Sequence, residues 1–374
     1  SVLSLVTDPS LIWGANGLYF NTEEEQDRPV HVTLFESDGS PAFALDLGAK
    51  PHGHASLSYP QKPMALIARP GYGQGTIDYP VFGEDYPVTS FRRLLLRNAG
   101  QDFNRAMMRD ALCATIMGSE DLDASAYRPV VVYINGEYWG IQNLRERHDK
   151  HYPESHHGTP TDAIDLLEGG GWEEHEGDNH HFFSVCDYLE QHDMSDPSAY
   201  ARARQVIDVD EFSTYAIAQD FFLNDDWPAN NVKFWAPRSI TGKWRWFQYD
   251  FDGCTGAWGT GPSESRLNDI FGGSVRVTRL LEALHDNPSF RQDFVNRYAD
   301  LLNTTLSVES TLRSLHHAAA AIRGEVQRHL DRWYQPTHDW NSDIREIEDF
   351  LQQRPGYARQ QLAAFFNLGA TYTL

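Results

Sequence analysis

Two turns rich in carboxylate and carboxamide side chains flank a short aromatic hairpin. The first turn reads Asn224-Asp-Asp-Trp-Pro-Ala-Asn-Asn231, and the second reads Gln248-Tyr-Asp-Phe-Asp-Gly253. Between them lie two strand-like runs, Val232-Lys-Phe-Trp235 and Lys243-Trp-Arg-Trp-Phe247. In an antiparallel hairpin the start of the first strand and the end of the second strand lie side by side. The sequence therefore predicts that the two turns lie at the same end of the hairpin.

The spacing within these turns is typical of phosphoryl transfer. Asp226 and Asn231 form a D-x-x-x-x-N loop, in which an aspartate can accept a hydroxyl proton while the carboxamide reaches a magnesium ion. Asp250 and Asp252 alternate along an extended segment that ends at Gly253. Carboxylates of this kind are the hard oxygen ligands that Mg²⁺ prefers. Together the turns predict one general base and a metal site.

Ordinary turn chemistry also explains each turn when it is considered alone. Asp, Asn and Gly are common turn residues, and Asp226-Trp-Pro228 can simply end the helix before it. The order of parts along the chain favours the catalytic interpretation. A small-residue loop, a strand that begins with a lysine, a helix and an apolar hairpin precede the two turns, which is the order found in two-lobed phosphotransferases.

The length and composition are those of a globular enzyme. The chain has 374 residues, of which 41% are hydrophobic and 22% are charged, so it can form one large core or two lobes. No apolar run approaches the roughly 18 residues that a membrane helix needs. Lys and Arg number 31 against 53 Asp and Glu, and the formal net charge is −22. A nucleic-acid partner is therefore not expected, because phosphate binding needs clustered positive charge.

Hydrophobic patterning divides the chain into a β-rich first part and a helical second part, with the boundary near residue 148. Residues 1–148 are predicted to contain strands within 27–47, 62–69 and 91–97, a helix over 103–117, and a hairpin over 129–144 with a type I′ turn at Asn135-Gly136. Residues 149–374 are predicted to begin with an irregular segment, 149–182. Helices are then expected at 183–192, 197–204, 209–223, 276–286, 289–302, 307–333, 340–352 and 355–366. The expected class is α+β.

Other kinds of site fit the sequence less well. The histidines between His148 and His181 lack a compact H-x-x-x-H spacing, which favours a solvated loop over a transition-metal site. A G-x-S-x-G elbow for serine hydrolysis is missing, and the three cysteines match no metal pattern. Five tryptophans around the hairpin could stack on sugars or peptides, but packing of the hairpin is the favoured interpretation. They are Trp227, Trp235, Trp244, Trp246 and Trp258.

The chain resembles the CotH kinase family, named for a spore-coat protein kinase that is an atypical relative of eukaryotic protein kinases. The resemblance spans nearly the whole chain, and its combination of segments is highly specific. The segments lie at residues 18–21, 52–56, 72–73, 79–83, 96–100, 103–112, 127–141, 143–147, 165–169, 226–231 and 244–252.

The resemblance implies a two-lobed atypical kinase fold, with a β-rich N-terminal lobe and a mainly helical C-terminal lobe. It implies ATP and Mg²⁺ (or Mn²⁺) as cofactors, and transfer to a Ser/Thr-type hydroxyl of a protein or peptide in the cleft between the lobes. By this resemblance Asp226 would be the catalytic base or a metal-proximal aspartate. Asn231 and Asp250 would hold Mg²⁺, with Asp252 as a second ligand.

The same resemblance assigns the nucleotide-binding residues. Lys62 would contact the phosphates, and Asp110 in the helix at 103–117 would be its carboxylate partner. Gly53 and Ser56 lie in the small-residue loop that precedes Lys62. The segment Asn143-Leu-Arg-Glu146 would be the hinge beside the adenine, so that Asn143 and Glu146 would bind the cofactor.

Two departures from the family pattern leave alternatives open. Leu57 stands where an arginine is common, and Gln61 stands where a second lysine is common. The loss of these cations either weakens nucleotide binding or is compensated by Lys233 and Arg245; alternatively, the protein is an inactive pseudokinase that serves as a binding or assembly module. Adenylylation on the same fold is a third interpretation, because a fold does not determine a reaction.

The sequence leaves the compartment and the oligomeric state open. The first residues, Ser1-Val-Leu-Ser-Leu-Val6, lack the basic start of a signal peptide, as a trimmed chain also would. The resemblance slightly favours an extracytoplasmic or secreted protein and leaves cytoplasmic and coat-associated locations open.

Overall fold

The computed structural model describes residues 1–22, 26–239, 241–335 and 338–369. The chain divides into two compact units, and each unit is assembled from three segments. Unit 1 comprises Ser1–Ala111, Ser125–His156 and His316–Ile344, and unit 2 comprises Leu112–Ala124, His157–Leu315 and Arg345–Leu374. The boundary predicted near residue 148 falls within the second segment of unit 1, and as a domain division it stays a prediction.

Strands and helices alternate irregularly along the chain, and the predicted α+β class is confirmed. The strands are β1 (Val2–Val6), β2 (Arg28–Phe35), β3 (Pro41–Pro51), β4 (Met64–Ile67), β5 (Ile77–Asp78), β6 (Ser90–Phe91), β7 (Arg93–Arg97), β8 (Asp123–Ala124), β9 (Tyr127–Ile134), β10 (Glu137–Glu146), β11 (Ile164–Glu168), β12 (Glu173–Glu176), β13 (Lys233–Pro237) and β14 (Arg245–Gln248). The helices are α1 (Pro9–Trp13), α2 (Arg109–Met117), α3 (His151–His157), α4 (His180–Gln191), α5 (Pro197–Val206), α6 (Val209–Phe222), α7 (Leu267–Ile270), α8 (Arg276–His285), α9 (Pro288–Asn303), α10 (Val308–Ile322), α11 (Val326–Arg332) and α12 (Trp340–Phe365). Among the described residues, no helix is long and apolar enough to cross a membrane.

In its described residues, unit 1 contains a closed barrel of seven strands in the order β1-β2-β3-β4-β7-β10-β9. Neighbouring strands are antiparallel, except that β1 and β9 run parallel. Side chains alternate along the strands, and in β2 those of Val30, Val32 and Leu34 belong to the core while their neighbours are more exposed. Closure pairs each of these strands on both sides, so the barrel satisfies its backbone groups internally.

The hairpin predicted around Asn135-Gly136 is confirmed. The φ angles of Asn135 and Gly136 are 50° and 81°, and a type I′ turn requires positive φ at both positions. The register then shifts between Tyr138 and Gly140 in β10. A Cβ atom on Gly140 would lie 2.7 Å from His329 Nδ1, so this position needs glycine for the close approach of α11.

The predicted helix at 103–117 is wrong at its start, because α2 begins at Arg109. Asp102 Oδ2 accepts hydrogen bonds from the backbone N–H groups of Met108 and Arg109 at 2.8 and 3.0 Å. These bonds satisfy N–H groups that have no partner inside the helix, and Met107 takes a left-handed φ of 64° just before it. The apolar spacing of residues 103–108 therefore belongs to a turn packed on the core rather than to the helix.

The irregular segment predicted for 149–182 is also wrong. The structure has α3, β11 and β12 there, and α4 begins at His180. The buried side chains of Ile164, Leu166 and Leu167 lie in β11, which pairs antiparallel with β13. This apolar run is too short to indicate a strand by itself, so a partner strand far away in sequence decides its structure.

The predicted helices from 183 to 302 are confirmed within a few residues, but two later predictions are wrong. The segment 307–333 is two helices, α10 and α11, and Gly324 lies between them. Conversely, the helices predicted at 340–352 and 355–366 are one continuous helix, α12, with Pro355 inside it. Proline normally favours a helix boundary, and tertiary packing overrides that preference here.

In its described residues, unit 2 contains a five-stranded sheet in the order β12-β11-β13-β14-β8. Helix α6 packs on β14, and the rings of Phe212 and Trp246 stack with centroids 3.6 Å apart. Apart from Asp210, every residue of α6 is buried, so neighbouring elements cover this helix on all sides. Four of the five tryptophans named above are at most 2% exposed, which confirms the packing interpretation for them, while Trp258 is 43% exposed.

A fully buried ion pair joins the end of α6 to α12. Arg354 Nη2 donates to Asp220 Oδ2 at 2.9 Å, and neither side chain is exposed. Other N–H groups of Arg354 donate to the carbonyl oxygens of Asp220 and Phe221, the last turn of α6. Arg354 Nη1 donates to Pro262 O and Glu264 O in the connection between β14 and α7. One guanidinium thus satisfies both a helix end and a loop.

We expect replacement of Arg354 to destabilise the fold more than loss of an ordinary ion pair does. Arg354→Met keeps an extended side chain but leaves the Asp220 carboxylate buried without its cation, which costs about 3–5 kcal/mol. The free energy of unfolding, measured by denaturant titration, should fall by that amount. Arg313→Met is the control, because the Arg313–Glu309 pair on α10 is exposed. Equal losses in the two variants would contradict the prediction.

Candidate active site

Asp226 and Asn231 are in direct contact at the end of α6. Asn231 Nδ2 donates to Asp226 Oδ2 at 2.9 Å, and Asn230 Nδ2 donates to Asp226 Oδ1 at 2.8 Å. The backbone closes this turn, because Asn230 N also donates to Asp226 O at 3.0 Å. The aspartate is therefore held at both of its oxygens by carboxamides of its own turn.

The second turn lies against the first, as the hairpin predicts. Asn231 Nδ2 is 3.5 Å from Asp250 O, and Asp225 N donates to Gly253 O at 3.3 Å. Asn231 and Asp250 both have left-handed backbones, with φ of 59° and 61°. Asn and Asp tolerate this conformation better than most residues do. Residue type and backbone shape thus agree at both positions.

Contacts of Trp227 and Asp225 hold the first turn in place. Trp227 Nε1 donates to Tyr215 OH at 2.9 Å, which ties the turn to α6. Asp225 accepts from Thr260 Oγ1 at 2.7 Å and forms an ion pair with Arg266. Asp225 and Asp226 are adjacent but have different partners, because those of Asp225 come from the connection between β14 and α7. Sequence patterning alone does not distinguish the two aspartates.

Buried amides accompany the two turns. Gln248, two residues before Asp250, is 1% exposed, and among the described residues neither its Oε1 nor its Nε2 has a hydrogen-bond partner. Gln219 Oε1 accepts from Asn224 Nδ2 at 3.1 Å. Burying a polar amide without a partner costs free energy, so Gln248 is a group that a bound water, ion or ligand would satisfy.

In unit 1, Lys62 contacts the small-residue loop. Its ammonium group donates to Leu57 O, and its own carbonyl oxygen accepts from Gln142 Nε2 at 3.1 Å. Burial lowers the pKa of Lys62. Gly53, in the same loop, has a φ of 108°, and a Cβ atom there would lie 2.3 Å from Ser56 Oγ. The loop therefore brings Gly53, Ser56 and the Leu57 carbonyl together near Lys62.

Asp110, the predicted partner of Lys62, has arginine partners. Arg145 Nη1 donates to Asp110 Oδ2, and Arg97 Nη1 lies 3.5 Å from the same oxygen. These guanidiniums neutralise the buried carboxylate, whereas the Lys62 ammonium donates to a carbonyl oxygen. The cofactor role of Asp110 stays a prediction.

The segment predicted as a hinge lies inside a strand. Residues 143–145 in β10 pair with β7 on one side and β9 on the other, so the neighbouring strands take up their backbone groups. The side chains have structural partners: Asn143 Nδ2 donates to Met107 O at 3.1 Å, and Glu146 contacts Tyr86 OH and His156 Nε2. A cavity of about 230 Å³ is lined in part by Glu146. Nucleotide binding by Asn143 and Glu146 stays a prediction.

The two residues that depart from the family pattern, Leu57 and Gln61, both have hydrogen-bond partners in the structure. Gln61 is fully buried and donates to Trp139 O at 2.8 Å, and the Leu57 carbonyl accepts from Lys62. Two cations, Lys233 and Arg245, are candidate substitutes for the missing arginine and lysine. Arg245 is buried and forms ion pairs with Asp121, Asp123 and Asp208. Burial lowers the pKa of Arg245, but the carboxylates of Asp123, Glu211 and Asp121 raise it, with a net increase. The charge of Arg245 is thus neutralised within the fold. Lys233, the other candidate for a substitute cation, is closer in sequence to Asn231.

Sequence reasoning missed Glu168 as a functional candidate. Lys233 Nζ lies 3.0 Å from Glu168 Oε2, and Tyr249 OH donates to Glu168 Oε1 at 2.8 Å. His175 Nε2 is 2.7 Å from the same carboxylate. Glu168 lies in a segment that carries the family resemblance, but that segment alone indicates no role. Only the pairing of β11 with β13 brings it to the aromatic hairpin.

The histidines form separate contacts rather than one site. His156, His157 and His175 each hydrogen-bond to a different carboxylate. In the described part of the chain, one group of three possible metal ligands comes close enough to share an ion, namely Glu168, Glu173 and His175. The Lys233 ammonium already supplies a positive charge at Glu168, so this group carries no separate metal assignment.

A comparison with family models supports the resemblance. The model described as CotH kinase protein matches residues 49–358, from the end of β3 into α12, and this range includes both turns. A search of curated proteins found no match. Because the family model covers most of the chain, the protein belongs to the CotH kinase family.

Proposed function

We propose that the protein is a Mg-ATP-dependent kinase that transfers the γ-phosphoryl group to a Ser/Thr-type hydroxyl of a protein or peptide. The observation that carries this proposal is the contact of Asp226 with Asn231 and of Asn231 with the Asp250 turn. Phosphoryl transfer needs mainly positioning and charge neutralisation, and these are what such a constellation supplies. Membership of the CotH kinase family supports the same class of reaction.

We further propose that the two units have the roles of the two lobes of a kinase. Unit 1 would serve as the nucleotide-binding lobe, through Lys62 and the loop of Gly53 and Ser56. Unit 2 would serve as the catalytic lobe, through Asp226 and the Asp250 turn. The N–H groups of a glycine-containing loop and a nearby ammonium are suited to phosphate oxygens, which supports the first part.

The donor set of the two turns fits Mg²⁺. Asn231 offers an amide oxygen, Asp250 and Asp252 offer carboxylates, and the buried Gln248 amide is a polar group without a partner among the described residues. All of these are hard oxygen donors, which Mg²⁺ prefers to nitrogen or sulfur ligands. When bound, Mg²⁺ would neutralise charge on the phosphate oxygens.

Asp226 would act on the acceptor hydroxyl. The carboxamides of Asn230 and Asn231 donate to its two carboxylate oxygens and hold them in place. A carboxylate fixed in this way can orient the hydroxyl and accept its proton at Oδ1 or Oδ2 as the phosphoryl group is transferred. The turn would thus supply the orientation of the base.

The experiment that tests the proposal uses ATP labelled at either phosphate. Transfer of label from the γ-phosphate to a protein or peptide supports a kinase. Transfer of label from the α-phosphate would replace the proposal with adenylylation. The departures at Leu57 and Gln61 favour a pseudokinase as the main competitor, and Mg²⁺-dependent ATP binding without transfer of either label would support that reading.

Asp226→Asn should separate chemistry from binding. An amide cannot accept the hydroxyl proton, and general-base catalysis typically contributes about 10²–10⁴-fold, so kcat should fall by that factor. The dissociation constant for Mg-ATP, measured by calorimetry, should change little. If ATP binding is lost in step with activity, Asp226 is instead a metal ligand.

The adjacent residues Asn230 and Asn231 provide a matched test of metal binding. Both contact Asp226, but Asn231 also reaches the Asp250 turn. Asn231→Gly removes the amide and accepts the left-handed backbone, so it should raise the Mg²⁺ concentration that half-saturates ATP binding. Asn230→Ala should leave that concentration unchanged. The metal assignment is wrong if the two variants behave alike.

Lys62→Arg should reveal whether the ammonium group binds phosphate. A planar guanidinium does not replace a compact ammonium at a fitted site, so the KM for ATP should rise. Lys243→Arg is the control, because Lys243 is exposed in the connection between β13 and β14. Full turnover and unchanged ATP affinity in Lys62→Arg would move the lysine role elsewhere.

A further inference from the structure

Glu168 contacts both chain segments that carry the proposed metal ligands. Its Oε2 lies 3.0 Å from the ammonium of Lys233, which follows Asn231 by two residues. Its Oε1 accepts at 2.8 Å from the hydroxyl of Tyr249, which directly precedes Asp250. One carboxylate therefore links the segment after the first turn to the segment before the second turn.

The backbone holds Glu168 firmly at this place. Glu168 is the register partner of Lys233 on one side of β11 and of Glu173 on the other side. Gly169 N donates to Val232 O at 2.7 Å, so the pairing continues to the residue next to Asn231. The sheet, rather than a flexible loop, sets the position of the carboxylate.

The electrostatics keep Glu168 ionised. Burial raises its pKa, but the hydrogen bond with His175, the Lys233 ammonium and the Tyr249 hydroxyl outweigh burial and lower the pKa to about 2. Glu168 therefore remains a hydrogen-bond acceptor throughout the neutral pH range.

We propose that Glu168 is a positioning residue that holds the Asn231 turn and the Asp250 turn together for metal binding. This inference rests on the proposed function and deepens it. Residues that orient metal ligands without touching the metal commonly change metal affinity by about 10- to 100-fold when they are replaced. Glu168 acts through Lys233 and Tyr249 on the turns that carry the ligands.

The same pair of strands provides an internal comparison. Asp165, at the other end of β11, forms an ion pair with Arg238 at 2.6 Å. Asp165 is the register partner of Ala236 in β13. This ion pair joins the start of β11 to the residue that follows β13, and it lies away from the two turns. It therefore serves as a matched control for the ordinary structural contribution of a carboxylate on β11.

The test compares Glu168→Gln with Asp165→Asn in the full chain. Glu168→Gln keeps the size of the side chain and an oxygen for Tyr249, but it removes the charge that faces Lys233. We expect about a 10- to 100-fold rise in the Mg²⁺ concentration that half-saturates ATP binding. We expect Asp165→Asn to leave that concentration unchanged, although both variants lower the melting temperature.

Two further variants test the route of the effect. Lys233→Met and Tyr249→Phe each remove one contact of Glu168, and each should weaken Mg²⁺-dependent binding. Combining Lys233→Met with Glu168→Gln should add little to the larger single effect, because the two residues act as one unit. Fully additive effects in the double variant would contradict a shared positioning role.

Amide hydrogen exchange without nucleotide separates this inference from the proposed function. In Glu168→Gln, exchange should accelerate in both turns, residues 224–231 and 248–253, and it should not do so in Asp165→Asn. Unchanged exchange in either turn overturns the positioning role.

If exchange accelerates but the native chain shows no Mg²⁺-dependent ATP binding, the positioning role stands and the proposed function fails. Equal Mg²⁺ dependence in both variants would make Glu168 an ordinary ion-pair residue and overturn the inference.

Discussion

The buried pair of Asp220 and Arg354 is the interaction on which the turns of unit 2 depend. Neither side chain reaches solvent, so each charge is stabilised only by the other and by surrounding hydrogen bonds. Asp220 Oδ1 also accepts from the backbone N–H of Arg266 at 2.6 Å, and the Arg266 side chain pairs with Asp225. A continuous set of polar contacts therefore runs from α12 through the end of α6 to the residue next to Asp226. These contacts connect the turn of the proposed base to an ion pair buried in the core.

Glu168 holds the same turns from the sheet. Asp220 acts from the helical side, on the segment before Asp226, and Glu168 acts on the segments that follow Asn231 and precede Asp250. Charged hydrogen bonds on both sides are well suited to a site that must hold its ligands in one arrangement, because fixed donors and acceptors need no reorganisation during the reaction. The left-handed backbones of Asn231 and Asp250 are consistent with turns whose shape the surrounding structure determines.

Local patterns predicted the elements whose structure depends on nearby residues. The Asn135-Gly136 hairpin and the proximity of the two turns follow from turn chemistry and strand direction, and both are observed. The start of α2 and the strands between residues 149 and 182 were predicted wrongly for a common reason. The carboxylate of Asp102 begins α2 beyond the apolar run, and β11 is a strand because β13 lies beside it. Neither contact can be recognised from the hydrophobic periodicity of the segment that it affects.

The sequence by itself determined the family, the α+β class and the residue types of the candidate site, because these depend on composition, spacing and local turns. Tertiary structure alone decided which charges neutralise one another. Asp110 pairs with arginines, Arg245 is surrounded by carboxylates, and Glu168 reaches Lys233 and Tyr249. Charge pairing acts over a few ångströms, and only the register of the sheets and the packing of distant segments bring such groups within that range.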